Sequence, residues 1–214
     1  MQRDLSLLKS VLSVPTKTYK EEKMINFLVE WLMANNLPYR VDSQGNIYVT
    51  KDDGTPKDKN FYYPCVVAHT DTVHEIDSIN IKEEMLKNYQ GEKKLSLKAY
   101  NDQGKPTGIG GDNKCGVFAC LELLKELPNL KASFFVSEET GCHGSKMRMK
   151  SSLKMLGTRF NLMPHLTGWL VNIVWVLNYL ISQMSSSPNV MTYLLKVLRG
   201  DKNTGLIHIP MYMP

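Results

Sequence analysis

Apolar positions along the chain recur first at helical spacing and later in short continuous runs. From Asp4 to Val14, Leu5, Leu8 and Val11/Leu12 fall on one face, and Pro15 stops the pattern, which predicts a short amphipathic helix. A second helix follows, with Met24, Ile25, Phe27, Leu28, Trp31 and Leu32 as its apolar face and Asn35 and Asn36 at its end. Thr18, with Glu21 three residues on, reads as its capping box. PYRVDSQGNIYVTK predicts two strands around a turn at Ser43–Asn46, and 52–59 reads as a polar loop. YYPCVVAHTD is nearly all apolar up to its polar end, the mark of a strand buried on both faces. Residues 87–104 predict a small excursion of strands and loops. A glycine turn at 108–111 leads into a helix from Lys114 to Leu127, and KASFFVSEE predicts another buried strand. Helices alternating with strands in this order imply an α/β fold with a mostly parallel, helix-covered sheet.

Such sheets hold their ligands at the carboxyl ends of strands. Three stretches place acidic or imidazole groups there: VVAHTDT (Val66 to Thr72), GIGGDNKCG and FFVSEET. His69 is a candidate zinc ligand, and Asp71, two residues on along an extended strand, faces the same way and can orient the imidazole. Asp112 sits at a helix start, where the dipole favours an anion, and a carboxylate there can bridge two metals. Glu138 and Glu139 cannot both point inward on a regular strand. Just past its end they diverge, one to ligate metal and the other to take the proton of a water. Two metals about 3.5–4 Å apart activate such a water and polarise a scissile carbonyl, and the free Glu serves as general base. Taken singly, each residue has an ordinary structural explanation: a hydrogen-bonded His, a helix cap, a solvated turn. Five of them at strand ends together point to a metal centre. His74 and His143 lie near the same edge as candidates for touching substrate.

Composition changes this picture in one place. With 43% apolar and 22% charged residues in 214, the chain has the makeup of a soluble globular protein. The broken N-terminus does not read as a secretory signal. Cys65, Cys115, Cys120 and Cys142 lack CxxC spacing, so they suggest no disulfide framework or thiolate zinc site and read as buried or incidental. A reducing, cytoplasmic setting follows. The net charge of +5 is uneven. Through Ser145 there are 18 basic and 20 acidic residues; from Lys146 onward there are 8 basic residues and one acidic, Asp201, with 8 of the 12 methionines. The tail's cations are scattered without a motif, which argues against nucleic-acid binding. Its longest apolar run, Leu166 to Ile181, is broken by Gly168, Asn172 and Asn178. At 16 residues it falls short of the ~20 that a bilayer span needs, so no membrane anchor is expected.

The motifs AHTDTV, GGDNKCG and SEETGCHGS resemble, as a set, the co-catalytic di-zinc peptidases typified by tripeptidase T, with the related acetylornithine deacetylases and carboxypeptidases of the carboxypeptidase G type. The resemblance runs from about Asp4 to Ser145. It implies a three-layer α/β sandwich, two zinc ions per complete site, a small peptide substrate and, in the parent family, a homodimer. It implies His69 as ligand to one zinc, Asp71 as its orienting partner, Asp112 as the bridge, Glu138 as general base and Glu139 as ligand to the second zinc. The family's complete site also takes an Asp about two dozen residues after the Glu pair and a His near the end of a longer chain. Neither is visible here; Asn161 lies near the first spacing as a weak neutral-amide substitute, and His208 is the remaining stand-in for the second.

The expected organisation is therefore residues 1–145 as the N-terminal part of a zinc-peptidase catalytic domain, incomplete at the C-terminus, with 146–214 an atypical basic tail. A shift of reading frame at Lys146 explains the break. With allowed codon choices, the tail reads two bases later as a family-like string whose FDAP aspartate falls opposite Leu162 and Met163. The expected function is zinc-dependent exopeptidase hydrolysis of short peptides, weakened by the missing ligands. The alternatives are an amidohydrolase or deacetylase acting on N-acyl amino acids with the same machinery, and a non-catalytic truncated remnant.

Overall fold

The computed structural model describes residues 5–57, 63–87 and 90–147. Expectations for the tail beyond Met147, including Asn161, His208, the Leu166 to Ile181 run and the shifted frame, lie outside these residues. The chain divides into two compact units. The first holds the described residues up to Asn80 and from Tyr100 to Met147; the second holds those from Ile81 to Ala99.

In the first unit, α1 (Ser6–Ser13) buries Leu8, Val11 and Leu12, the stripe that the spacing predicts. Helix α2 (Glu22–Ala34) buries Met24, Leu28 and Leu32, again one position per turn. Fully burying such a side chain contributes about 1.5–3 kcal/mol, so these stripes decide which way both short helices face. Asn36, in the left-handed conformation at φ 52, ends α2: its amide bonds the carbonyl of Met33 and that of Leu37 reaches Leu32. The capping expectation fails. Thr18 Oγ1 donates to Asp71 instead, and Glu21 occupies the N-cap position without a side-chain bond to the helix.

The sheet of this unit has the order β1 (Tyr39–Val41), β2 (Ile47–Lys51), β7 (Leu130–Phe135), β3 (Cys65–His69). It is mixed, and the expected mostly parallel sheet is corrected on that point. Only β3–β7 is parallel; β1–β2 and β2–β7 are antiparallel. A local turn sets the first of these pairs: Asp42 takes the amides of Gln44 and Asn46, closing a tight turn that folds β1 back on β2, whereas β2–β7 joins distant segments. Every residue of β7 is buried, Lys131 and Ser133 included, which matches the buried strand that the sequence predicts. Strand β3 is not covered on both faces, since Val67 is 53% exposed among buried neighbours. Helix α3 (Gly111–Glu126) packs on α1, β3 and β7; its backbone is non-helical at Asp112 and Asn113, so the regular helix starts at Lys114, as expected.

In the first unit Pro106–Thr107 forms the short strand β6; the second unit's sheet pairs β4 (Asn80–Lys87) with β5 (Lys93–Tyr100), and of these only β5 falls inside the 87–104 excursion that the sequence predicts. Leu97 and Ala99 are its buried apolar positions. Among the described residues, no helix is long and apolar enough to cross a membrane.

Candidate metal centre

Parallel pairing of β3 and β7 brings His69 opposite Phe135, so both strands end at the same edge of the sheet. His69 is buried, with its ring between two acids. Nδ1 lies 3.3 Å from Asp71 Oδ1 and 3.1 Å from the Asp71 carbonyl; Nε2 lies 3.2 Å from Asp112 Oδ1 and 3.8 Å from Glu138 Oε2. One ligand atom each from His69, Glu138 and Glu139 lies within 4.8 Å of the others, spacing that a single ion can bridge. The donors are one imidazole nitrogen and carboxylate oxygens, a set that suits zinc. Asp112 meets His69 but stays outside that trio, on a side chain 61% exposed at the start of α3.

The Glu pair is carried on a turn that four side-chain bonds hold. Past Phe135 the chain leaves the ladder, and its next four amides all find side-chain oxygens. Val136 N donates to Asn46 Oδ1, Ser137 N to Glu21 Oε1, Glu138 N to Asp71 Oδ1 and Glu139 N to Asp71 Oδ2. Ser137 takes φ 53, reversing the backbone so that the two glutamates leave strand geometry. Asn46 is fully buried and also ties down the far side of the turn, its Nδ2 donating to the Gly144 carbonyl. Gly144 is needed there: a Cβ would come within 2.2 Å of the Val136 carbonyl oxygen.

The segment after α1 braces the other strand. Thr16 Oγ1 donates to the Thr70 carbonyl, Thr72 Oγ1 to the Thr16 carbonyl, and Thr18 Oγ1 to Asp71 Oδ2 at 2.8 Å. Burial alone works to raise the Asp71 pKa; the bonds from His69, from the amides of Glu138 and Glu139 and from Thr18 outweigh it and hold it at about 2. For His69, burial pulls the pKa down. The hydrogen bond to Asp71 and the charges of Glu138, Asp71 and Asp112 more than offset this and leave it raised. Burial, opposed by the His69 charge and reinforced by the neighbouring carboxylates, raises that of Glu139.

All five residues singled out in the sequence thus lie at one edge, Asp112 least closely. His74 is exposed and sits over Gly108, where any Cβ would strike its ring. His143 opens the one-turn helix α4 (His143–Lys146). Cys142 is not incidental: its Sγ lies 3.3 Å from Glu138 Oε1 and donates to it. Sequence reasoning missed Glu21, Asn46 and the role of Thr18, because their partners lie 53 to 116 positions away. They sit in the polar stretches PTKTYKEEK and DSQGN, where nothing in the sequence sets them apart.

No family model and no curated protein matches the sequence. Among solved structures, a tripeptidase from Staphylococcus aureus is similar with a TM-score of 0.50 and 23% identity, over 69% of this chain and 39% of that one. An aminoacylhistidine dipeptidase from Vibrio alginolyticus is similar with a TM-score of 0.50 and 23% identity, over 65% of this chain and 28% of that one. The described part has, in part, the zinc-exopeptidase fold. The chain therefore spans well under half the length of the solved peptidases it resembles.

Proposed function

We propose that the chain carries a zinc-binding hydrolytic centre of the exopeptidase type, acting on the amide bond of short peptides. The observation that supports this best is the meeting of His69, Glu138 and Glu139 within 4.8 Å, at the adjacent ends of two parallel strands. In this reading His69, Asp112 and Glu139 hold the metal, which supplies Lewis acidity and a lowered pKa for water when bound. Asp71 fixes the imidazole by binding its Nδ1 edge, leaving Nε2 toward the acids. Glu138 is the proton carrier. Cys142 donates to its Oε1, which leaves Oε2, the oxygen on the His69 side, to take a proton from the attacking water and return it to the leaving amine. The tripeptidase and dipeptidase likenesses support a short peptide as substrate.

A second reading, metal binding without turnover, draws on the donor count. Among the described residues one group of three closes around a single point, fewer than a two-metal site uses. Zinc content by elemental analysis, measured beside cleavage of a tripeptide panel and of N-acyl amino acids, separates the readings. Peptide cleavage that Glu138→Gln abolishes while zinc is retained supports the exopeptidase. Cleavage confined to N-acyl substrates shifts the assignment to an amidohydrolase. Zinc without turnover supports the binding-only chain, and absence of zinc removes the metal reading altogether.

A further inference from the structure

Glu21 is a buried acid that the proposed chemistry does not use. It is 6% exposed, and its carbonyl accepts the amides of Met24 and Ile25 in the first turn of α2. An acid at this place ordinarily stays near the N-terminal amides of its own helix. Here no side-chain bond to the helix forms. Instead Oε1 crosses 116 positions of chain to accept two bonds from one residue, Ser137 N at 3.0 Å and Ser137 Oγ at 3.1 Å.

Ser137 is the pivot of the turn. It holds a left-handed backbone that an ordinary side chain resists by roughly 1–2 kcal/mol, and it separates the end of β7 from Glu138. With its amide and hydroxyl both committed to Glu21, the residue has one orientation. The next two amides then point to Asp71, Glu138 N at 2.9 Å and Glu139 N at 3.1 Å. Glu21 and Asp71 thus hold three successive amides from two different segments. A turn free to rotate at Ser137 would carry both glutamates away from His69.

We infer that Glu21 is a positioning residue for the carboxylate pair: by clamping Ser137 it sets the direction in which Glu138 and Glu139 leave the strand. It touches neither metal nor substrate. This rests on the proposed metal centre for its functional meaning, although the positioning itself is independent of any ion. The plainer role, satisfying one buried N–H, would affect Ser137 alone.

Amide hydrogen exchange on the full-length chain tells these apart, because the amides of Glu138 and Glu139 bond Asp71 rather than Glu21. In Glu21→Ala, both should exchange about tenfold faster or more, relative to Leu121 and Leu124 in α3, as expected when charge-assisted bonds are lost at the pivot. Glu21→Gln keeps an acceptor oxygen at the same reach and should restore most of the protection. Glu21→Asp keeps a carboxylate but withdraws it by one methylene. It should behave like Glu21→Ala, and it decides the matter if the alanine variant does not fold. Faster exchange confined to Ser137, or an equal rise in α3, overturns the inference. Zinc affinity by chelator competition should fall about tenfold or more in Glu21→Asp, the range for losing a residue that orients ligands. A wild-type chain that takes up no zinc defeats the metal reading, and the exchange pattern still decides the role of Glu21.

Discussion

The carboxylate of Asp71 accepts the backbone amide of Glu138 at 2.9 Å across 67 positions of sequence. Its second oxygen takes the amide of Glu139 and the hydroxyl of Thr18, while its first lies against His69. One fully buried acid therefore joins the imidazole to the turn that bears both glutamates.

Asp71→Asn should be costly out of proportion to its size. In either amide orientation an NH2 replaces an acceptor facing backbone donors, and leaving a charged-group bond unmade costs about 2–3 kcal/mol. The acid dependence should change too. The folded pKa, about 2, lies below the unfolded value of 3.8, so the contribution is present above pH 3.8 and lost as pH falls through 2. Urea denaturation between pH 5 and 2 should show a shallower loss in the variant than in the wild type.

His69 runs in the opposite sense. Its pKa is raised above 6.5, so the ion pairs of its protonated form stabilise the metal-free protein below pH 6.5, and this is lost as pH rises through the raised value. In the proposed centre a metal ion must displace that proton. Zinc affinity should therefore climb with pH until His69 is neutral, with release of about one proton per ion on the acid side. Calorimetry in buffers of different ionisation enthalpy reads the proton directly.

Lys114 is 1% exposed, and its ammonium donates to the Leu12 carbonyl in the last turn of α1. Burial lowers its pKa to about 8 from 10.5. Between those values the unfolded chain binds the proton and the folded chain does not, so stability should rise with pH, by about 3 kcal/mol for a shift of this size. Lys114→Met should lack the rise, which paired urea titrations at pH 7.5 and 10 would reveal.

Gly144→Ala tests the turn from its far side. The added methyl would meet the carbonyl oxygen and amide of Val136 and the Asn46 side chain, two of them backbone atoms that cannot swing away. Destabilisation of about 3 kcal/mol is expected, together with weaker zinc binding. An unchanged melting temperature would contradict the tight closure.

Much of the fold was legible in the sequence because its causes are local. The stripes Leu8, Val11, Leu12 and Met24, Leu28, Leu32 recur at the helical period, and the mostly apolar β7 has the length of a buried strand. Asn36 marks the end of α2 because asparagine tolerates the left-handed conformation found there. The acids and imidazole of HTD, GGDN and SEE stood out because each closes an apolar run or a glycine turn. By itself the sequence determined the two N-terminal helices with their buried stripes, the strands that end at the site and the residues available for chemistry. Only the tertiary structure decided that β2 and β7 pair antiparallel, that one face of β3 stays open at Val67, and that Thr18, Glu21 and Asn46 serve the Glu turn. Periodicity reports how a side chain relates to its own helix or strand. It carries nothing about which distant amide a buried oxygen will meet, because packing alone sets that distance.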